Sequence, residues 1–422
     1  EHPPIYTIDL SLSPSQRYIS VARDYKLILE SLPYIFDELL ESVNLPKKTF
    51  HRIARAVLRK MHSKEQTEEL RGISRVSGVR MSMLVAYNVL LDLFMGCTSG
   101  GICVKEERKE HSGEGGERVM MHFRTLDWGM SALRKAVVQY EFVEKKGGPV
   151  VATSIGYVGF VGVLTGVRPG LSVSLNFRPY HNNDDSRWSN TKFYIHHLLV
   201  LLGFRPCISS HIRDFILKKT KNSHPYFWMG PMPSPTTRLP LPSLAHILKA
   251  FPAIPTTAAY LILSDGDHTA VLEKDRITAQ SILSSSFITA TNHDVSYELP
   301  SVTGVQAAQA THSKTHHFGI GMKDLVEESM DRKRCMVAKW ERRCRSLRQK
   351  QKQEPEQSQH QRLSTGRRRR RDVALQLEKD EGYVSFNELK EWLLEFPTTN
   401  DETHFVTIMD PRKGTVEWVR MF

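Results

Sequence analysis

A glycine followed by a cysteine, Gly96-Cys97, is the strongest chemical signal in the sequence. The residues ahead of this pair predict a helix over 80–94, and the residues after it predict two strands of a hairpin. Arg124 and Asp127 lie in the second of these strands. A cysteine between a helix and a strand, faced by a guanidinium and a carboxylate, is the layout of an N-terminal nucleophile. We therefore predict that the Gly96–Cys97 bond is cut.

The cut would give Cys97 a thiol and a free α-amino group on one residue. An α-amine has a pKa of roughly 8 and a thiol of roughly 8.5, so the amine can accept the thiol proton near neutral pH. Arg124 would favour the thiolate, and Asp127 would accept a hydrogen bond from the α-ammonium. Gly96 would ease the backbone strain of self-cleavage. The alternative, that Cys97 is a small buried hydrophobic residue, stays open on spacing alone.

Four motifs occur in a fixed order along the chain: Cys97-Thr98-Ser99, Arg124-x-x-Asp127-Trp128-Gly129, Gly159-x-x-Gly162-x-Leu164-Thr165-Gly166-x-x-Pro169-Gly170, and Thr291-Asn292-His293-Asp294. Together they resemble the acid ceramidase and N-acylethanolamine acid amidase family. That family is a branch of the N-terminal nucleophile hydrolases, which also include choloylglycine (bile-salt) hydrolases and penicillin V acylases. The resemblance runs over most of the chain and leaves out two insertions.

The resemblance implies a fold and a set of site residues. The implied fold is α+β, a four-layer αββα sandwich. The implied catalytic residues are Cys97, Arg124, Asp127, Asn292 and Arg332. In this set the side-chain NH2 of Asn292 donates to the oxyanion, and Arg332 braces the site. Arg334 competes with Arg332, because the register of the family's arginine motif is loose here.

The predicted cut divides the chain into two fragments. Residues 1–96 form a mostly helical N-terminal fragment, the α-subunit, and residues 97–422 form the β-subunit. The second fragment carries a Pro-rich insertion at 220–243 and a basic, disordered insertion at 345–372. Residues 342–372 hold a net charge of +9 out of the chain's +12, which leaves +3 elsewhere. The basicity is therefore a local tract and not a binding face spread over the fold.

Several elements must position the site. Ser13 and Pro14 predict the start of a long amphipathic helix, which Pro33 should kink or split. The glycines of 156–162 permit either a row of backbone N–H donors for an oxyanion or a tight bend between strands. Asp265-Gly266-Asp267 predicts a hairpin, and Ser385 with Glu388 predicts a helix that begins with a capping box.

Composition excludes other classes of function. No apolar run approaches the roughly 20 residues that a membrane span needs. The five cysteines lack metal-ligand spacing, and His312, His316 and His317 lack a carboxylate or cysteine partner, so we expect no metal and no cofactor.

No signal peptide or glycosylation sequon is visible, and the chain begins at Glu1 without methionine. A lysosomal, vacuolar or secreted location is implied by the resemblance alone.

The implied reaction is hydrolysis of a fatty-acyl amide lipid, either a ceramide or an N-acylethanolamine, by a self-processing cysteine amidase whose two fragments stay associated. Two alternatives remain. One is an acyl-coenzyme A-dependent N-acyltransferase of the same superfamily. The other is a non-enzymatic binder that uses the basic tract, with an anionic membrane surface as the expected contact and nucleic acid a less favoured one.

Overall fold

The computed structural model describes residues 1–42, 46–90, 96–105, 117–179, 181, 187–218, 240–298, 322–353 and 382–422. Within these ranges the strands form two sheets. The large sheet has the strand order β1 (Ile5–Asp9), β4 (Val137–Val143), β5 (Val150–Tyr157), β6 (Thr165–Arg168), β7 (Leu171–Phe177), β8 (Ala259–Ser264), β9 (Thr269–Lys274) and β10 (Ala279–Ser284). The small sheet has the order β11 (Phe287–Ala290), β2 (Gly96–Lys105), β3 (Arg118–Asp127), β12 (Thr403–Asp410) and β13 (Thr415–Met421).

The helices of the described residues are α1 (Ile19–Asp24), α2 (Lys26–Ser42), α3 (Lys47–Val57), α4 (Lys64–Ser77), α5 (Met81–Leu90), α6 (Arg187–Leu201), α7 (Ile208–Ile216), α8 (Leu244–Ala250), α9 (Met322–Gln353) and α10 (Phe386–Leu394). The helices α1 to α5 and α7 share the main apolar core with the large sheet. A second apolar cluster joins α9 and α10 to the small sheet through Met336, Leu389 and Leu393. The predicted four-layer α+β sandwich is confirmed.

The two sheets pack against each other through alternate side chains of β2 and β3. Successive side chains of a strand point to opposite faces, and hydrogen bonds identify the faces here. His122 of β3 bonds the hydroxyls of Ser172 and Ser174 on β7 at 2.8 Å each, so even-numbered residues of β3 face the large sheet. Phe123 belongs instead to the cluster under α9 and α10. Cys97, which faces the large sheet, and Asp127, which faces α9, therefore lie on opposite faces of the small sheet.

The first helical stretch differs from the expectation. A short 3-10 turn over Pro14–Gln16 precedes α1, and α1 is separated from α2 by Tyr25 alone. Tyr25 has a ψ of 22°, outside helical values, and its ring packs edge-on against Tyr6 at 6.1 Å. Pro33 lies inside α2. The break thus falls at Tyr25 and not at the proline.

The start of the basic insertion is helical, contrary to our expectation of disorder. Helix α9 continues to Gln353, so residues 345–353 of the predicted disordered tract 345–372 are helical. Arg, Lys, Gln and Glu are good helix formers, and Glu341 lies 3.9 Å from Arg345 one turn later. Residues 354–372, most of the insertion at 220–243 and the three histidines at 312, 316 and 317 lie outside the described residues.

Candidate active site

Cys97 is the second residue of β2, next to Gly96 at the start of the strand. Its side chain is fully buried between the sheets. Its backbone N–H donates to Oδ1 of Asn292 at 2.8 Å. In the uncut chain, the nitrogen that cleavage would turn into an α-amine is therefore already held by a residue distant in sequence.

Arg124 lies on the same face of the small sheet and points at the thiol. Its Nη2 lies 3.3 Å from Cys97 Sγ and donates to the carbonyl of Leu175 at 2.7 Å. Its Nη1 donates to the Leu164 carbonyl and to the hydroxyl of Thr165, the latter at 2.6 Å. The guanidinium is thus fixed by the large sheet, which explains why the motif that contains Leu164 and Thr165 accompanies the cysteine.

The thiol of Cys97 has a raised pKa. Burial is the main cause, and the charge and hydrogen bond of Arg124 oppose it without overcoming it. We expected Arg124 to favour the thiolate, and it does, but the low dielectric of the closed site outweighs its effect. The sulfur is a protonated thiol at neutral pH, so any reaction here needs a base.

Asp127 ends β3 opposite Gly96, with which it is in register. Its Oδ1 accepts a hydrogen bond from the Thr403 hydroxyl at 2.6 Å, and its Oδ2 lies 3.9 Å from Nε of Arg332. Burial raises the pKa of Asp127 to about 6, although Arg332 and Thr403 each act to lower it. We expected Asp127 to hold the nitrogen of Cys97, but in the uncut chain that N–H donates to Asn292.

Asn292 follows β11 and joins three parts of the site. Its Oδ1 accepts from the Cys97 N–H and from Nη2 of Arg332, the latter at 2.9 Å. Its Nδ2 donates to the carbonyl of Phe177 at 2.8 Å. These partners fix the orientation of the amide, because the first two require an oxygen and the third requires an N–H. In the uncut chain, the side-chain oxygen of Asn292 therefore faces Cys97. Its NH2 group, which we predicted to be the oxyanion donor, is bonded to Phe177.

Arg332 and Arg334 lie on different sides of α9. Arg332 has 2% of its side chain exposed and reaches Asn292 and Asp127. Arg334 is 70% exposed and pairs with Asp331 on the same helix. The structure therefore brings Arg332 to the site and leaves Arg334 on the surface.

The glycine-rich segment 156–162 contains a packed turn that uses several of its backbone N–H groups. The N–H groups of Val158 and Phe160 donate to backbone carbonyls, and that of Val161 donates to Oδ1 of Asn88 at 2.7 Å. These three groups are already used inside the protein. The alternative interpretation, a tight bend between strands, is the one that the structure supports.

Three side chains have roles in the site that the sequence reasoning did not assign. Thr165 holds Arg124, Thr403 holds Asp127, and Ser329 bonds the backbone N–H of Asn292 at 2.6 Å. Ser329 precedes Arg332 by three residues, a spacing that places both on one helix face and that could have identified it. No local pattern identifies Thr403, which is 276 positions from its partner.

Among the described residues, no group of His, Cys, Asp and Glu has the arrangement of a metal site. The five cysteines all lie in described ranges, and no disulfide joins them. Within the same ranges, no helix combines the length and apolar character required to cross a membrane.

Comparison with known proteins finds N-acylethanolamine-hydrolyzing acid amidases and acid ceramidases among the relatives of this chain. A family model described as the beta subunit of N-acylethanolamine-hydrolyzing acid amidase matches residues 1–64, all of them ahead of the predicted cut. The N-acylethanolamine-hydrolyzing acid amidase of Caenorhabditis elegans is 32% identical over 184 residues, which cover 41% of this chain and 47% of the relative. Acid ceramidases of Mus musculus and Homo sapiens are each 26% identical over 194 residues, which cover 42% of this chain and 45% of the relative.

The chain spans about half the length of the curated relatives it matches. A solved structure of the Caenorhabditis elegans N-acylethanolamine-hydrolyzing acid amidase ortholog is 17% identical, with a TM-score of 0.41, and the match covers 77% of this chain and 100% of that one. The sequence matches confirm the family resemblance that the four motifs indicated.

Proposed function

Because the chain is a relative of the acid ceramidases and N-acylethanolamine-hydrolyzing acid amidases, we propose that it is a self-processing cysteine amidase that hydrolyses the amide bond of a lipid amide. One observation supports this proposal most. Cys97 is contacted through its sulfur by Arg124 from the neighbouring strand of the same hairpin, and through its nitrogen by Asn292 from a strand end distant in sequence. A small buried hydrophobic residue would not need the guanidinium beside its side chain.

Self-cleavage is the first step of the proposal. Sγ of Cys97 attacks the carbonyl carbon of Gly96, and the C–N bond between them breaks as the thioester forms. The thiol proton passes to the released nitrogen, which becomes the α-amine. Water then hydrolyses the thioester, which leaves a carboxylate on Gly96 and a free thiol on Cys97. Departure of the Gly96 end opens access to a sulfur that is fully buried in the uncut chain.

Amide hydrolysis uses the same two atoms. The α-amine of Cys97 takes the thiol proton while Sγ attacks the amide carbonyl of the lipid, and it then passes that proton to the leaving amine. A water molecule cleaves the acyl thioester, with the amine again as base. An ordinary thiol, with a pKa of roughly 8.5, is mostly protonated at neutral pH, which makes this base necessary. Arg124 stabilises the sulfur as it loses its proton, and Asn292 holds the amine.

Asp127 and Arg332 support the site from the opposite face of the small sheet. Cβ of an alanine at position 96 would lie 3.3 Å from Cβ of Asp127 and 3.7 Å from Nη2 of Arg332, so this face closes tightly over the scissile bond. Within the proposal, Arg332 fixes the oxygen of Asn292, and Asp127 is available to the ammonium once cleavage frees it.

The substrate is proposed as a class only. A ceramide and an N-acylethanolamine both present a fatty-acyl amide to the nucleophile, and the contacts at Cys97 concern the amide and not the amine that leaves. Contact with an anionic membrane surface, where such lipids reside, and continued association of the two fragments belong to the same proposal.

The test compares Cys97→Ala with Cys103→Ala, a substitution on the same strand and the same face. Mass spectrometry of wild-type protein and of the Cys103 variant should find a fragment that begins at Cys97, whereas Cys97→Ala stays intact. Fluorogenic lipid amides of varied acyl length and head group then measure hydrolysis, which we expect to fall at least a thousandfold in Cys97→Ala. Full activity in an intact chain, or in Cys97→Ala, contradicts the proposal.

A further inference from the structure

Helix α9 forms hydrogen bonds with Asn292 at two points. The hydroxyl of Ser329 accepts the backbone N–H of Asn292 at 2.6 Å, and Nη2 of Arg332 donates to its side-chain oxygen at 2.9 Å. Ser329 is fully buried and Arg332 is 2% exposed, one helical turn apart on the same face of α9. One helix therefore fixes both the backbone and the side chain of this residue.

Ser329 also bonds the residues on either side of Asn292. Its hydroxyl donates to Oγ1 of Thr291 at 2.9 Å, and it lies 2.7 Å from Nδ1 of His293. Strand β11 ends at Ala290, so no sheet ladder extends to these three residues. A single hydroxyl thus contacts three consecutive residues at the point where regular strand pairing stops.

The position of Asn292 directly affects the position of the Cys97 nitrogen. Oδ1 of Asn292 accepts the N–H of Cys97 at 2.8 Å, and that nitrogen is the base in the proposed reaction. An amide anchored at its backbone and at its oxygen has little freedom to turn away from this nitrogen.

We propose that Ser329 is a positioning residue that holds Asn292 so that its oxygen orients the Cys97 nitrogen, first in the scissile peptide and then as the free amine. This inference rests on the proposed function. An acceptor oxygen stabilises the charged ammonium more than the neutral amine, so a well-held Asn292 raises the pKa of that amine. Loss of the Ser329 hydroxyl should therefore alter the chemistry of Cys97 as well as its geometry.

The experiment uses the full chain with Ser329→Ala and, as its matched control, Ser346→Ala, which removes the same hydroxyl from a part of α9 far from the site. Self-cleavage of Ser329→Ala should slow about tenfold to a hundredfold, because a buried N–H loses its acceptor. In the cleaved enzyme, kcat should fall by a similar factor while KM stays within twofold. The acid limb of the kcat/KM profile should move to lower pH.

Three results would overturn the inference. They are self-cleavage and kcat within twofold of wild type in Ser329→Ala, a rise in KM with kcat kept, and an equal loss in Ser346→Ala. If Ser329→Ala does not fold, Ser329→Cys replaces the hydroxyl with a much weaker acceptor of similar size, so its self-cleavage should still be slow. Wild-type rates in that variant would likewise reject the role. If the activity requires Cys97 but tolerates the Ser329 variants, only this inference is rejected. Activity in Cys97→Ala would reject the proposed function itself.

Discussion

Asp127 shows how a single side chain is tuned by opposing effects. Burial moves the pKa of its carboxyl to about 6, while the hydroxyl of Thr403, at 2.6 Å from Oδ1, moves it the other way. A hydrogen bond given to a carboxylate stabilises the ionised form. Arg332 and Thr403 together therefore keep part of the Asp127 population charged at mildly acidic pH, where burial alone would leave it protonated.

We predict that Thr403→Val raises the pKa of Asp127 further. If the ionised carboxylate is the active form, the acid limb of the rate profile moves to higher pH, opposite to the shift expected for Ser329→Ala. Hydrolysis measured between pH 4 and pH 8 checks this. Thr403→Ser retains the hydroxyl and should keep the wild-type profile, so an equal shift in both variants would assign the effect to packing and not to the hydrogen bond.

At the scale of elements, α9 divides its arginines between a buried and an exposed face. Arg332 contacts Asn292 and Asp127, whereas Arg334, two residues later, pairs with Asp331 in solvent. A buried charge that loses its partner costs several kcal/mol, about 3–5. An exposed pair three residues apart contributes about 0.2–0.5 kcal/mol.

Arg332→Ala should therefore slow self-cleavage and hydrolysis at least tenfold, because Asn292 loses one of its two anchors on α9 and Asp127 loses its cation. Arg334→Ala should match wild type. Timed gel analysis of newly purified precursor measures self-cleavage in the two variants, and the fluorogenic lipid amides measure hydrolysis. Equal losses in the two variants, or normal cleavage in Arg332→Ala, would show that the buried face of α9 does not serve the site.

The site residues that local sequence patterns predict are close together along the chain. Those that local patterns miss come from distant parts of it. Cys97, Arg124 and Asp127 belong to one hairpin, whose register follows from local spacing and strand alternation. Asn292 and Arg332 came only through resemblance, because the approach of β11 and α9 to β2 depends on how distant elements pack. The same applies to the turn at 156–162, where Oδ1 of the distant Asn88 accepts the N–H of Val161. The local sequence pattern had left that N–H as a possible oxyanion donor.

At the scale of the whole molecule, the predicted cut leaves two fragments joined by more than surface contacts. Strand β1, from the first fragment, is an edge strand of the large sheet and pairs in parallel with β4 from the second. Glu69 bonds both Nη atoms of Arg213 across the fragments at 2.6 and 2.7 Å, and its side chain is fully buried. Separation would expose this ion pair and a continuous apolar core.

Our last prediction is that the fragments stay together after cleavage. Cleaved wild-type protein should elute as one species in size-exclusion chromatography and separate only in denaturant. Glu69→Ala leaves Arg213 buried without this partner and should lower the free energy of unfolding by about 3–5 kcal/mol.

Glu68→Ala is the matched control, since Glu68 pairs with Arg71 on the exposed side of the same helix and contributes about 0–1 kcal/mol. Spontaneous separation of the wild-type fragments would contradict the prediction. Equal destabilisation by the two variants would contradict only the role given to the buried pair, because β1 and the apolar core would then hold the fragments without it.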